Sequence, residues 1–214
     1  MNDATRWVKN KIRETQNGIS VSGQTPNGLL ILQDSTSYSF RLAVLGISDV
    51  IRLPHVQPLF GEEDEPDMVI NVPSKTIWSG DAIRFIHKSG ASFGTFGDIE
   101  RAAAGEIASS FRNKDMSFFI RAINQHQNVE ECSYVYDCVF KATRRRGAPL
   151  TIAVVAAYNL SAEHVRTART RFGHFDVIVK SSSHGSITSQ ASTAANSMGA
   201  EALTFGNLMK RLYQ

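Results

Sequence analysis

One segment constrains the fold more than any other, because residues 149–159 read PLTIAVVAAYN and are almost wholly apolar. A strand of this kind is buried on both faces, which is typical of parallel sheets covered by helices. Helical and strand-like segments alternate after it, and this order predicts an α/β sheet with parallel pairing. The predicted elements are a helix capped by Ser161, a strand near 175–181, a helix capped by Ser186 or Thr188 and ending at Gly199, a strand near 200–205 and a helix near 207–212.

The first half has shorter elements separated by Gly, Pro, Asn and Ser, which indicates a helix followed by a small antiparallel sheet. The segment before the apolar strand predicts two helices and then one long strand that ends in a basic turn. We therefore predict an N-terminal α+β region over residues 1–90 and an α/β domain over 91–214, with no internal repeat. The predicted elements are helices over 3–15, 81–87, 98–111 and 115–124, strands over 19–22, 28–33, 38–45, 68–72 and 130–147, and a loop or linker over 55–67.

Composition places the chain among ordinary globular proteins, with 42% hydrophobic and 20% charged residues in a length of 214. No apolar run approaches the ~18–20 residues that cross a bilayer, and the first residues lack the apolar core of a signal peptide. We therefore expect a soluble, cytoplasmic protein without a membrane partner. The two cysteines, Cys132 and Cys138, have no second pair to complete a zinc site and are expected to be buried free thiols.

Charge is distributed unevenly although the formal net charge is only +3. Residues 141–171 contain seven basic side chains and one acidic side chain, Glu163, whereas residues 62–67 are mostly acidic. Guanidinium groups bind phosphate oxygens in a bidentate manner, so the basic segment predicts a surface for DNA or RNA. The candidate nucleic-acid-binding residues are Arg144, Arg145, Arg146, Arg166, Arg169 and Arg171.

The element order of the second half resembles the restriction-endonuclease-like core, which has a helix, an antiparallel pair of strands, a buried third strand, a helix and a parallel strand. The segment HVRTARTRFGHFDVIVKSSSHGSITSQASTAANSMGAEALTFGNLMKRL is similar to the Mrr-type branch of that superfamily, and the resemblance covers roughly residues 96–214. It implies a mixed sheet with flanking helices, nuclease ancestry and a setting in phage defence or in a mobile element.

Nucleases of this superfamily carry an Asp on the second strand and a Glu-x-Lys on the third, so that carboxylates hold Mg²⁺ and the metal activates water. The resemblance assigns the Asp to Asp137 and an additional carboxylate to Glu100 or Glu106, with Lys141 or Lys180 as the lysine. The third strand departs from the pattern, because TIAVVAA at 151–157 has no acid, amide or lysine. We therefore expect a nucleic-acid-binding protein with a degenerate or rearranged nuclease core. The alternative is an active Mg²⁺-dependent nuclease that uses Asp137, Lys141 and Glu100.

Two further predictions concern the surface. The loop KSSSHGSIT follows a parallel strand and precedes a helix, so its backbone N–H groups and side chains form a candidate anion site at Lys180, Ser182, His184 and Gly185. The acidic run and the basic turn are also compatible with a protein-interaction or scaffold module, which includes pairing between copies of this chain.

Overall fold

The structure is a computed structural model that describes residues 3–15, 17–61 and 63–214. The chain divides into two compact units, Met1–Asn113 and Lys114–Gln214, which we call the first and the second unit. This boundary lies 23 residues beyond the predicted one at residue 90 (113 minus 90). The difference arises because the segment after residue 90 adds a strand and a helix to the first unit.

The first unit is a five-stranded mixed sheet with helices on its faces. Its strands lie in chain order, β1-β2-β3-β4-β5, and the first three are antiparallel neighbours whereas β3, β4 and β5 are parallel. The elements are α1 (Asp3–Thr15), β1 (Ile19–Gln24), β2 (Leu30–Asp34), β3 (Ser39–Leu45), α2 (Leu53–Val56), β4 (Met68–Asn71), α3 (Gly80–Lys88), β5 (Ser92–Thr95) and α4 (Asp98–Ala104).

The second unit repeats this architecture. Its sheet order is β10-β9-β8-β7-β6, again with an antiparallel meander of three strands followed by two parallel crossovers. The elements are α5 (Lys114–Asn124), β6 (Val129–Tyr136), β7 (Val139–Arg144), β8 (Leu150–Val155), α6 (Ala162–Phe172), β9 (Val177–Lys180), α7 (Ser189–Ser197), β10 (Glu201–Thr204) and α8 (Phe205–Arg211). The predicted α/β sheet with parallel pairing is confirmed.

Each unit has its own hydrophobic core. The core forms because the central strands are apolar on both faces and are covered by helices. All four residues of β4 and all four of β9 are buried. In the first unit α1 and α4 pack on one face of the sheet, and in the second unit α5 and α8 take the same place. Helices α6 and α7 cover the opposite face of the second sheet.

Strand registers show that the second unit is a structural copy of the first. Leu30 pairs with Leu42 in the first unit and Phe140 pairs with Ile152 in the second, a shift of 110 residues (30 to 140). After the third strand the shift is 109, since Met68 pairs with Ser92 and Val177 pairs with Glu201. The copies therefore differ by one residue in the connection between the third strand and the next helix.

Side-chain contacts repeat with the same shifts. Asp67 accepts a hydrogen bond from the N–H of Arg41 at 2.7 Å, and Asp176 accepts one from the N–H of Thr151 at 2.7 Å. His55 Nδ1 accepts the backbone N–H of residue 52 at 3.1 Å, and His164 Nδ1 accepts that of residue 161 at 3.1 Å. The prediction of no internal repeat is therefore corrected.

A short sequence pattern accompanies the structural copy. Gly-Ala-x-x-x-Thr-Phe-Gly occurs at residues 90–97 and again at 199–206. Each first glycine follows a helix and has positive φ, 76° at Gly90 and 71° at Gly199. Each pattern continues through the last strand to the start of the last helix, which begins at Asp98 in the first unit and at Phe205 in the second. The same local sequence therefore builds the same turn, strand and helix start in both units.

Most predicted helices and strands are present, and three segments differ from expectation. Residues 55–67 are not wholly a loop, because α2 and a 3-10 turn at Gln57–Leu59 occupy part of them. The helix predicted over 98–111 ends at Ala104. The long strand predicted over 130–147 is a β6–β7 hairpin with Asp137 and Cys138 in its turn. In the described residues no helix combines the length and apolarity needed to cross a membrane.

Both cysteines are free thiols, as predicted, but only Cys132 is buried, whereas Cys138 is half-buried. Burial raises the pKa of Cys132 and of Cys138 to about 12, and the neighbouring carboxylates of Glu131 and Asp137 add to the effect. We expect the native protein near pH ~8 to react with Ellman's reagent roughly a thousandfold more slowly than the protein in denaturant, because few of the native thiols are ionised.

Unfolded thiols ionise near pH 9, so the same pKa shifts lower the free energy of unfolding as pH rises from 9 toward 12. Fast labelling of the native protein would contradict this assignment.

Candidate nucleic-acid interface

The β7–β8 turn, residues 145–149, presents two guanidinium groups to solvent. Arg145 and Arg146 are exposed, and the turn that carries them is fixed by Asn128. The Asn128 side chain accepts the N–H of Arg146 at 3.0 Å and donates to the Arg146 carbonyl at 3.0 Å and to the Leu212 carbonyl at 2.8 Å. This basic turn therefore carries two exposed guanidinium groups on a backbone that hydrogen bonds hold in place.

Arg144 has a different role from its two neighbours. Its side chain is buried, and Nε donates to the Ala148 carbonyl at 2.7 Å, which closes the turn from inside. Burial lowers the pKa of the guanidinium, and the nearby Arg211 acts in the same direction. Gly147 has φ 89° and packs against this guanidinium. The structure thus makes Arg144 a turn-closing residue, in contrast to its predicted contact with nucleic acid.

The arginines of α6 divide in a similar way. Arg169 donates to the Met198 carbonyl at 3.2 Å at the end of α7, and its guanidinium lies 5.6 Å from the centre of the Phe175 ring. Arg166 is exposed, and Arg171 is exposed with its guanidinium 5.1 Å from the Phe172 ring centre. Arg169 therefore ties helices α6 and α7 together, whereas Arg166 and Arg171 remain at the surface.

The two units differ in their formal net charge. The second unit has twelve Lys and Arg against seven Asp and Glu, a formal net charge of +5, whereas the first has eleven against thirteen, or −2. In the first unit Asp64 and Asp67 of the acidic run pair with Arg41 at 3.6 and 3.5 Å. Glu62, which belongs to the same run, lies outside the described residues. The second copy is accordingly the more basic of the two.

The predicted catalytic residues are divided between the two units. Asp137 lies in the β6–β7 turn, whereas Lys141 lies in the middle of β7, opposite Ser133 and Thr151. Glu100 belongs to α4 of the first unit, where it accepts a hydrogen bond from Asn17. Glu106 lies in the turn after α4 with φ 53°.

Both copies share an apolar third strand. β3 reads SFRLAVL and β8 reads LTIAVV, so neither contains the Glu-x-Lys pattern. Within residues 3–15, 17–61 and 63–214, no group of three or more His, Cys, Asp or Glu side chains is arranged to hold a metal ion. Neither of the predicted Mg²⁺ ligands, Asp137 and Glu100, therefore belongs to such a group in these ranges.

The predicted anion loop uses its donors internally. Lys180 is 2% exposed, and its ammonium donates to the carbonyls of Ser182 and His184. The Ser182 hydroxyl accepts the N–H of His184 at 3.2 Å. Gly185 has φ 78°, and a Cβ there would lie 2.0 Å from the Tyr158 carbonyl oxygen, so this glycine serves packing. The loop is a self-contained turn and does not offer the expected anion cradle.

Lys180 occupies the position of Asn71 in the first unit. Asn71 is also 2% exposed, and its side-chain amide donates to the Pro73 carbonyl at 3.1 Å, as the Lys180 ammonium does to the equivalent Ser182 carbonyl. An amide in one copy and an ammonium in the other therefore secure the same loop. The buried lysine has a structural explanation that its sequence context did not indicate.

A cleft lies at the carboxyl ends of β8, β9 and β10, and three of the four predicted anion-site residues, Lys180, Ser182 and Gly185, are part of its lining. Its volume is about 920 Å³. It is lined mainly by aromatic rings and small apolar side chains, with Lys114, Asp115 and the 181–185 loop at its polar border. The rule that α/β sheets bind ligands at the carboxyl ends of strands indicated this region, but the prediction was of an anion site and did not include the aromatic lining. Phe118 and Phe205, which lie far apart in sequence, gave no signal of their own.

Comparisons of this chain with protein-family models, with curated proteins and with solved structures found no match.

Proposed function

We propose that this chain is a nucleic-acid-binding protein without nuclease chemistry, and that its second unit makes the contacts. The observation that carries the proposal is the anchored basic turn, where Arg145 and Arg146 are exposed on the copy that has a net charge of +5. Phosphate contacts supply most of the affinity of sequence-independent binding, and guanidinium groups are well suited to them.

The fold supports the same proposal by resemblance. Each unit follows the order of the restriction-endonuclease-like core, with a helix, two antiparallel strands, an apolar third strand, a helix and a parallel strand. We propose that both units are divergent copies of that core. The absence of acidic residues from β3 and β8 favours binding without cleavage, because a metal-dependent nuclease needs carboxylates at the third strand.

Fluorescence anisotropy of a labelled duplex of about 20 base pairs, measured at several salt concentrations, tests the proposal. We expect tight binding at low salt that weakens steeply as salt rises. The double variant Arg145→Gln, Arg146→Gln removes two phosphate contacts, so the slope of log affinity against log salt should become shallower by about 2.

The matched control is Arg84→Gln with Lys88→Gln. Both residues are exposed on α3 of the first unit, so this variant removes the same charge from the other copy. Its salt slope should match that of the unchanged protein. Equal slopes for both double variants, or no binding at low salt, would overturn the proposal. Cleavage of the duplex on addition of Mg²⁺ would favour the nuclease alternative.

A further inference from the structure

The cleft of the second unit has an aromatic wall that is open to solvent. The ring centres of Phe118 and Phe205 are 5.7 Å apart, and Phe119 lies behind them, 6.0 Å from Phe205. Phe118 is 60% exposed, and Tyr158 on the cleft lining is 68% exposed. Exposed rings around a concave space are typical of sites that bind flat aromatic ligands.

The first unit retains the aromatic pair at the equivalent position. Trp7 on α1 is 45% exposed and lies 5.4 Å from Phe96, as Phe118 on α5 lies beside Phe205. Phe96 and Phe205 are both the phenylalanine of the repeated Gly-Ala-x-x-x-Thr-Phe-Gly pattern. Both copies therefore have an aromatic pair at this position. The residues around the aromatic pair decide whether a ligand can reach it.

Those surroundings differ at the end of the third strand. In the first unit Ala4 of α1 packs on Gly46, so closely that a Cβ at Gly46 would lie 3.0 Å from the Ala4 Cβ. The first helix is shifted by 111 residues (8 to 119), because the buried Val8 and Ile12 of α1 correspond to the buried Phe119 and Ile123 of α5. The equivalents of Ala4 and Gly46 are therefore Asp115 and Ala156, and both line the cleft. The helix and the strand end that meet in the first copy thus border an open space in the second.

We propose that this cleft binds an unpaired nucleobase, stacked against Phe118 and Phe205. The proposal rests on the proposed function, since it names the form of nucleic acid that the second unit recognises. Asp115 and Ser183 place a carboxylate and a hydroxyl at the lining, where they can bond to the edge of a base, and Lys114 can meet a phosphate. A base that is paired in a duplex is not available to such a site.

The cleft and the basic turn lie at opposite ends of β8. The strand contains six residues, so its ends are five steps apart, roughly 17 Å at ~3.3 Å per residue. Substitutions at one end therefore leave the other end intact. This separation allows the cleft and the phosphate-binding surface to be tested independently.

The test uses Phe118→Ala with Trp7→Ala as its matched control. Both residues are exposed, so neither substitution removes a core side chain, and circular dichroism checks that both variants fold. The probe is a labelled oligo(dA) of about 12 nucleotides, and Phe118→Ala should weaken its binding by about five- to a hundredfold. Trp7→Ala should change the affinity by less than about twofold, and duplex affinity should be unchanged in both variants.

Adenosine, which has no phosphate, separates failure of the cleft from failure of the basic surface. If adenosine binds saturably and Phe118→Ala abolishes this binding, the result supports the cleft as a base-binding site, even if no oligonucleotide binds. Oligo(dA) affinity that Phe118→Ala leaves unchanged overturns the cleft, while the proposed function still stands on its duplex and salt measurements. Binding of neither probe by the unchanged protein overturns the cleft as well.

Discussion

Replacement of Phe140 by alanine is expected to lower the free energy of unfolding of the second unit by about 3–5 kcal/mol. Phe140 is fully buried on β7, and its ring centre lies 4.9 Å from that of Phe119 and 4.9 Å from that of Tyr134. The alanine variant leaves a cavity between the sheet and α5, because rings on both sides lose their contact. Chemical denaturation of the full chain measures the loss.

The equivalent substitution in the first unit is Leu30→Ala, at a residue that is also fully buried. We expect it to cost about 2–5 kcal/mol. Because the cores are separate, hydrogen exchange should accelerate in β6–β10 for Phe140→Ala and in β1–β5 for Leu30→Ala. Acceleration spread evenly over both sheets in either variant would show that the two cores unfold as one.

The second large effect is expected at Gly185. A Cβ at this position would lie 2.0 Å from the Tyr158 carbonyl oxygen and 2.7 Å from the carbonyl carbon, and backbone of this kind has little room to move. Positive φ adds strain for any residue with a Cβ. Gly185→Ala should therefore destabilise the second unit by about 2–5 kcal/mol, measured as the shift in the denaturation midpoint.

Gly199→Ala provides the control for backbone strain. Gly199 has a similar φ of 71°, but no atom lies within 4 Å of its added Cβ. It should cost only about 1–2 kcal/mol, so the excess at Gly185 measures the clash with Tyr158. Equal losses in the two variants would mean that the 181–185 loop moves freely to accept the methyl group.

The fold of the second half was largely predictable because its segments carry strong local signals. Ser161 and Thr188 cap their helices as expected, and the apolar run at 149–159 contains the central strand β8. The hairpin turn at Asp137 and Cys138 was missed because Asp137 is the only turn-forming residue in Tyr-Asp-Cys-Val, which contains no glycine, asparagine or proline. Apolar and aromatic side chains continue on both sides of Asp137, so the pattern alone indicates one strand.

The duplication was missed for a different reason. Equivalent core positions keep apolar character but change residue, as at Leu30 and Phe140 or at Leu42 and Ile152. The shift between copies also changes from 110 to 109, which breaks a simple alignment. The pattern Gly-Ala-x-x-x-Thr-Phe-Gly was visible in the sequence at 90–97 and 199–206 and was the signal that could have revealed the repeat.

Site residues were harder to predict than helices and strands, because the sequence gives the type of a charged residue but not the groups that its side chain contacts. Arg144 and Arg145 are adjacent in sequence, yet one closes the turn from inside and the other faces solvent. Lys180 occupied a plausible place for an anion site, but its ammonium is engaged by two backbone carbonyls. Tertiary contacts from Ala148, Ser182 and His184 decide these roles.

The shared strand registers also bear on how the chain reaches its native state. Since β2 and β7 pair with the third strand of their sheets in the same register, the backbone of either strand fits the hydrogen bonding of either third strand. Tandem copies of this kind are prone to exchange strands during folding, and the order of synthesis favours completion of the first copy before the second is available. Side-chain volume supplies the remaining discrimination, because Phe140 does not fit the space that Leu30 fills. The divergence that conceals the duplication therefore also directs each strand to its own sheet.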